Sequence, residues 1–242
     1  MIMANLQQRL APSDVSLVLH VLSRGDPSRR RELERVAQEQ GIDELLDAPD
    51  LLELLRDLPD VASPSPALFI SVAVRRTLRL VGIEDRRLSD YVGSLLSEFG
   101  ARARAYQISR HDDQVYRYIT DIVADIEAGS GRRRFLLQAH LGNFSLWLTG
   151  VFPDHVTARV HRRGAPNMRY FEEMGMMGFK LASEHRLARD FDMVDIYSGA
   201  AECFAQIRVG LNKLSDELFF PNRSNPDRLM RQVVDEFRYP LD

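Results

Sequence analysis

The hydrophobic positions of this chain recur mostly three or four residues apart, which is the spacing of an amphipathic α-helix. Leu88–Ala105 carries apolar residues at positions 88, 92, 95, 96 and 99, and Asp112–Ala128 repeats the pattern. Runs that alternate between apolar and polar residues, as strands do, are few. The pattern therefore predicts an all-α, multi-helix domain.

Residues that favour helix ends place further helices along the chain. Asp26-Pro27 opens a helix that continues through Gln40, because proline fits the first helical turn, and Gly41 ends it. The remaining predicted helices span residues 15–23, 43–47, 49–58, 66–81, 166–184, 198–214 and 225–237.

The centre of the chain holds a run of eighteen uncharged residues, Phe135–Phe152. Within it, Phe135–Gly150 is predicted to be a helix that is apolar on all sides, and such a helix is buried. His140, Asn143 and Trp147 then lie on one face of this helix. Buried polar groups need partners, so we expect His140 and Asn143 to bond each other, a backbone carbonyl or a neighbouring helix.

The segment Met168–His185 follows with four methionines and the pair Gly175 and Gly178. Methionine fills irregular gaps in cores, and glycine admits a close approach of two backbones. We interpret this segment as a core helix that another helix approaches closely.

An α/β core is the alternative architecture. Arg134–Ala139 and Val156–His161 are the two runs that have the length and composition of short strands. In that arrangement His140 stands at the opening of a helix that follows a strand, a place where active sites favour polar groups.

A break rich in Pro and Ser, DVASPSPA at residues 60–67, divides the chain. It predicts an N-terminal helical segment, residues 1–62, and a main helical domain, residues 66–242. The whole chain, at 242 residues, has a length that suits one large domain or two small ones.

Composition narrows the function classes. The net charge of −3 disfavours a nucleic-acid partner. The longest apolar run contains five polar side chains, which disfavours a membrane span, and no secretory signal is seen. The single Cys203 excludes an internal disulfide framework, and a reducing, cytoplasmic location is expected.

Motifs for catalysis and for metal binding are scarce. No two of the six histidines have the spacing of a helical metal site, and there is no Gly-x-Ser-x-Gly elbow. No phosphate-binding loop or dinucleotide fingerprint occurs either. The sequence therefore predicts no metal and no cofactor, and it favours a non-enzymatic role.

A binding surface is the favoured hypothesis for function. The cluster of polar and aromatic groups within the apolar run suggests that His140, Asn143 and Trp147 contact a ligand. The nearby basic loop supplies His161, Arg162 and Arg163 as further candidates. The expected partner is a protein or a small apolar ligand, and a homo-oligomer is a further expectation.

Residues 140–144, HLGNF, resemble the HLGNW-like start of the motif of bacterial lipid A acyltransferases. The resemblance implies an acyltransferase-like enzyme, active or inactive, in which His140 is the general base. Downstream, VTARVHRRGAPNMRYFEEM is similar to the strand, basic loop and helix of that family. The sequence departs where the family has an acid five residues after the histidine, because Ser145 stands there, and the family's hydrophobic anchor is not seen.

Tyr116–Pro221 also resembles an uncharacterised bacterial family of helical proteins. The resemblance lies in GRRRFLLQAHLGNFSLWLTGVFPD and LNKLSDELFFP. It implies a helical fold and no particular chemistry.

Overall fold

The structure is a computed structural model that describes residues 1–59, 63–100, 104–109, 112–163, 166–221, 228, 231 and 232, with the backbone alone for 161–163. Over these ranges the chain forms thirteen α-helices and no strand, so the prediction of an all-α fold is confirmed. The helices are α1 Pro12–Ser23, α2 Pro27–Gln40, α3 Asp43–Leu46, α4 Leu51–Arg56, α5 Pro66–Leu80, α6 Arg86–Gly100, α7 Ile119–Ala128, α8 Gly131–Val151, α9 Pro153–Arg163, α10 Met168–Glu184, α11 Arg186–Asp190, α12 Val194–Glu202 and α13 Phe204–Leu214.

Helix α8 is the centre of the fold. Every residue from Leu137 to Val151 is buried, because α6, α7, α9, α10 and α13 all pack against this helix. A helix that is apolar on all sides requires such surroundings. The predicted buried central helix is therefore confirmed.

A close helix contact joins α8 to α10 through glycine. A Cβ atom placed on Gly178 would lie 2.7 Å from the backbone nitrogen of Gly142 and 2.9 Å from the carbonyl oxygen of Gln138. The ring of Phe179 covers Gly142 in the same way, with a ring carbon 2.5 Å from where a Cβ would be. The two backbones thus approach at a distance that only glycine permits, and this fixes where α10 lies relative to α8.

The alternative strands are both wrong. Residues 134–139 lie within α8, and residues 156–161 lie within α9. Short apolar runs do not distinguish a strand from a buried helix by periodicity alone. Here residues 134–139 are part of a single helix of 21 residues. The second run lies in α9, which begins at Pro153, and proline is suited to the first turn of a helix.

Three of the predicted helices differ clearly from the structure. The helix predicted from Asp112 begins only at Ile119, because the backbone N–H of Tyr116 donates to the carbonyl of Tyr106 and its buried hydroxyl donates to Asp125. The helix predicted from 198 to 214 is two helices, α12 and α13, which meet at Cys203. The helix predicted to reach residue 105 is described as far as Gly100, residues 101–103 lie outside the described residues, and residues 104–106 form a 3-10 turn.

The N-terminal helices share their core with the rest of the fold. Arg75 of α5 is almost fully buried, and its guanidinium pairs with Asp43 at 2.5 Å and with Asp47 at 3.3 Å, which ties α5 to α3. Residues 60–62 of the expected linker lie outside the described residues, and the division of the chain at this point stays a prediction. The helix predicted for 225–237 also lies outside them, except for residues 228, 231 and 232.

Candidate ligand-binding cleft

His140 lies inside the core, with 3% of its surface exposed. Its ring centroid is 6.0 Å from the ring centroids of Phe99, Tyr116 and Phe144. Among the described residues, none forms a hydrogen bond with the Nε2 atom. An aromatic enclosure of this kind cannot solvate a charge, so the neutral imidazole is the form that fits.

Burial, together with the nearby Arg104 guanidinium, lowers the pKa of His140 from 6.5 to about 3. A narrow cavity borders the imidazole and Asn143, and it has space for about one water molecule. His140 is therefore neutral at physiological pH and is reached by no more than a water-sized group.

Asn143 and Trp147 are also core residues, with 4% and 7% of their surfaces exposed. The Asn143 Oδ1 atom accepts a hydrogen bond of 2.5 Å from the hydroxyl of Tyr91 on α6. Burial raises the pKa of Tyr91 well above its ordinary value, so this hydroxyl remains a donor. Trp147 contacts Phe99 edge-on at 5.8 Å between centroids.

The structure thus places His140, Asn143 and Trp147 together along one face of α8, as the helical spacing indicated. His140 and Asn143 were expected to bond each other or a neighbour, and for Asn143 the neighbour is Tyr91. Residues 161–163 form the end of α9. The side chains of His161, Arg162 and Arg163 lie outside the described part of the structure.

A larger cleft lies between α7, α8, α9 and α10. It is lined by Phe144 and Leu148 of α8, which directly follow Asn143 and Trp147 in sequence. Its volume is about 100 Å³, which is room for several water molecules or a small apolar group. The floor is apolar and consists of Ile119, Phe144, Leu148, Val156, Tyr170 and Phe171. Phe144 and Leu148 come from the central helix, so the packing of α8 sets the depth of the cleft.

Three basic side chains stand at the mouth of this cleft: Arg117, His155 and Arg159. The Arg159 guanidinium lies 5.9 Å from the centre of the Tyr118 ring, a cation–π distance. The pKa of His155 is lowered mainly by partial burial and, to a smaller extent, by the positive charge of Arg159. The imidazole is therefore neutral near pH 7 and both donates and accepts hydrogen bonds.

Tyr118 forms one wall of the mouth and is 55% exposed. It lies directly before α7 and is the N-cap residue of that helix. A large aromatic ring that is exposed beside an apolar hollow is typical of binding sites.

The sequence did not indicate this cleft. Its lining comes from four separate helices and from the irregular segment before α7, which had been predicted to be helical. Phe144 and Leu148 belong to the run that drew attention, yet the polar residues within that run face the core. The one available signal was Phe144, which directly follows Asn143 in that run.

Within the described residues, no cluster of three or more His, Cys, Asp or Glu side chains is arranged to hold a metal ion. None of the helices described is both long enough and apolar enough to cross a membrane. Comparison with protein-family models, with curated proteins and with solved structures finds no match to the chain.

Proposed function

We propose that the protein is a non-enzymatic helical domain that binds a small apolar ligand in the cleft between α7, α8, α9 and α10. The observation that supports this is the apolar floor, in which Ile119, Phe144 and Val156 are buried beneath a hollow of about 100 Å³. A concave apolar hollow with a few polar groups at its edge suits a small molecule. A protein partner, the other occupant expected from the sequence, requires a broad surface instead.

The driving force for binding is the removal of apolar surface from water. Tyr170 and Phe171 of α10 and Leu148 of α8 all line the hollow and would contact a bound ligand. Part of this gain in free energy is offset, because the ligand and the protein lose translational and rotational freedom when they associate. We therefore expect micromolar affinity, on the order of −6 to −8 kcal/mol.

An acyl-transfer role for His140 gains no support from the geometry. A general base must come within hydrogen-bond reach of the proton that it removes, and this imidazole is 3% exposed inside an aromatic enclosure. Its pKa of about 3 makes it a weak base. A cytoplasmic location, consistent with the single Cys203, remains part of the proposal.

Filling the cleft should abolish binding without unfolding the protein. Thr120 is an exposed residue at the edge of the cleft, in the first turn of α7. We expect Thr120→Trp to weaken the binding of N-phenylnaphthylamine, a neutral apolar fluorophore, by about tenfold or more, because the indole occupies the same space. Stability should change by less than about 0.5 kcal/mol.

The control is Ser16→Trp, which adds the same ring to an exposed position on α1, outside the cleft. Binding is measured by the fluorescence emission of the probe, which is excited at a wavelength longer than those that tryptophan absorbs. The proposal fails if the wild-type protein does not bind the probe, or if Thr120→Trp and Ser16→Trp bind it equally well.

A further inference from the structure

Two arginines stand at the mouth of the cleft, Arg117 and Arg159. Within the described residues, neither Arg117 nor Arg159 forms an ion pair, and no acid is among the residues that line the cleft. By contrast, Arg133, which contacts the same irregular segment, pairs with Asp112 at 3.1 Å. The cleft therefore presents two positive charges that nothing described in the fold neutralises.

The positions of these charges relative to the floor are informative. Arg159 is half-buried and lies against Tyr118, whereas Arg117 is exposed on the segment before α7. Both line a hollow whose floor is apolar. A guanidinium beside a low-dielectric surface attracts an anion more strongly than one in open water does, and its planar fork matches carboxylate and phosphate oxygens.

We infer that the ligand is an anionic amphiphile, with an aliphatic or aromatic tail on the apolar floor and a carboxylate or phosphate head between Arg117 and Arg159. This inference rests on the proposed function and specifies the chemical class of its ligand. His155, at the same mouth, supplies a further hydrogen-bonding group for the head.

The test compares dodecanoate, dodecyl phosphate and dodecanol, each below its aggregation concentration, as competitors of bound N-phenylnaphthylamine. The three molecules share one tail and differ in the head. We expect the two anions to displace the probe at concentrations about tenfold lower than the concentration of dodecanol that is needed. The reason is that charge-assisted hydrogen bonds to the head group add to the affinity. In the Arg117→Gln/Arg159→Gln protein this preference should disappear, with the affinity for dodecanol unchanged.

Arg29→Gln/Arg31→Gln is the matched control, because it removes two exposed arginines from α2 and alters the net charge equally. It should retain the preference for anions. Equal displacement by dodecanol and the anions, or a preference that survives in Arg117→Gln/Arg159→Gln, overturns the inference and leaves the apolar site in place. Absence of probe binding to the wild-type protein refutes the proposed function and this inference together.

Discussion

Replacing Gly178 by alanine should destabilise the protein by about 2 kcal/mol or more. The added methyl group would lie 2.7 Å from a backbone nitrogen and 2.9 Å from a backbone oxygen of α8. Backbone atoms within a buried helix cannot move aside alone, so α10 must separate from α8. The better helix propensity of alanine, about 1 kcal/mol, offsets only part of this cost.

Gly199→Ala is the control for this change. Gly199 also lies within a helix, α12, but its added Cβ would meet only the side chain of Leu88, at an ordinary 3.5 Å. We expect it to be neutral or stabilising by up to about 1 kcal/mol. Urea unfolding of the three proteins measures both effects, and a Gly178→Ala protein as stable as Gly199→Ala would refute the close packing of α8 on α10.

The second large effect is a loss of folding stability at low pH. His140 has a pKa of about 3 in the folded protein and a value near 6.5 when unfolded. The unfolded state thus binds a proton more readily, and stability is lost as the pH falls from 6.5 towards 3. Above pH 6.5 the contribution of this group is fully present. Between pH 6.5 and pH 4 the expected loss is about 3 kcal/mol.

His140→Leu should remove this part of the acid sensitivity, because leucine does not titrate and leaves no unpaired Nε2 in the aromatic enclosure. The measurement is the free energy of unfolding at several pH values, with the wild-type curve falling about 3 kcal/mol further than the curve of the variant. His20→Leu, on the exposed side of α1, is the control and should follow the wild-type protein. Parallel curves for His140→Leu and the wild type would show that His140 is not a buried neutral group.

The helical pattern predicted the class of the fold and its central helix because both follow from local spacing. The uncharged run that contains His140 is long enough for burial on all sides, and Gly175 and Gly178 indicated a close helix contact. Helix ends were less predictable. The start of α7 depends on the burial of Tyr116 and on its bond to Asp125, which no spacing reveals.

The cleft was not predictable for a related reason. Its floor depends on how α7, α9 and α10 pack around Phe144 and Leu148, so it exists only in three dimensions. The sequence pointed instead to His140, Asn143 and Trp147, because polar and aromatic residues in an apolar run are conspicuous. Two of the three have structural explanations, since Asn143 pairs with Tyr91 and Trp147 packs on Phe99.

The location of the ligand is the central claim, and amide NMR spectra recorded during a titration with dodecanoate test it most directly. We predict that the largest changes in chemical shift occur at the backbone amides of Ile119, Thr120, Leu148, Val156 and Phe171, which surround the cleft. The largest changes at the exposed apolar residues Met176, Met177 and Phe191 instead, or no saturable change at all, would contradict the account.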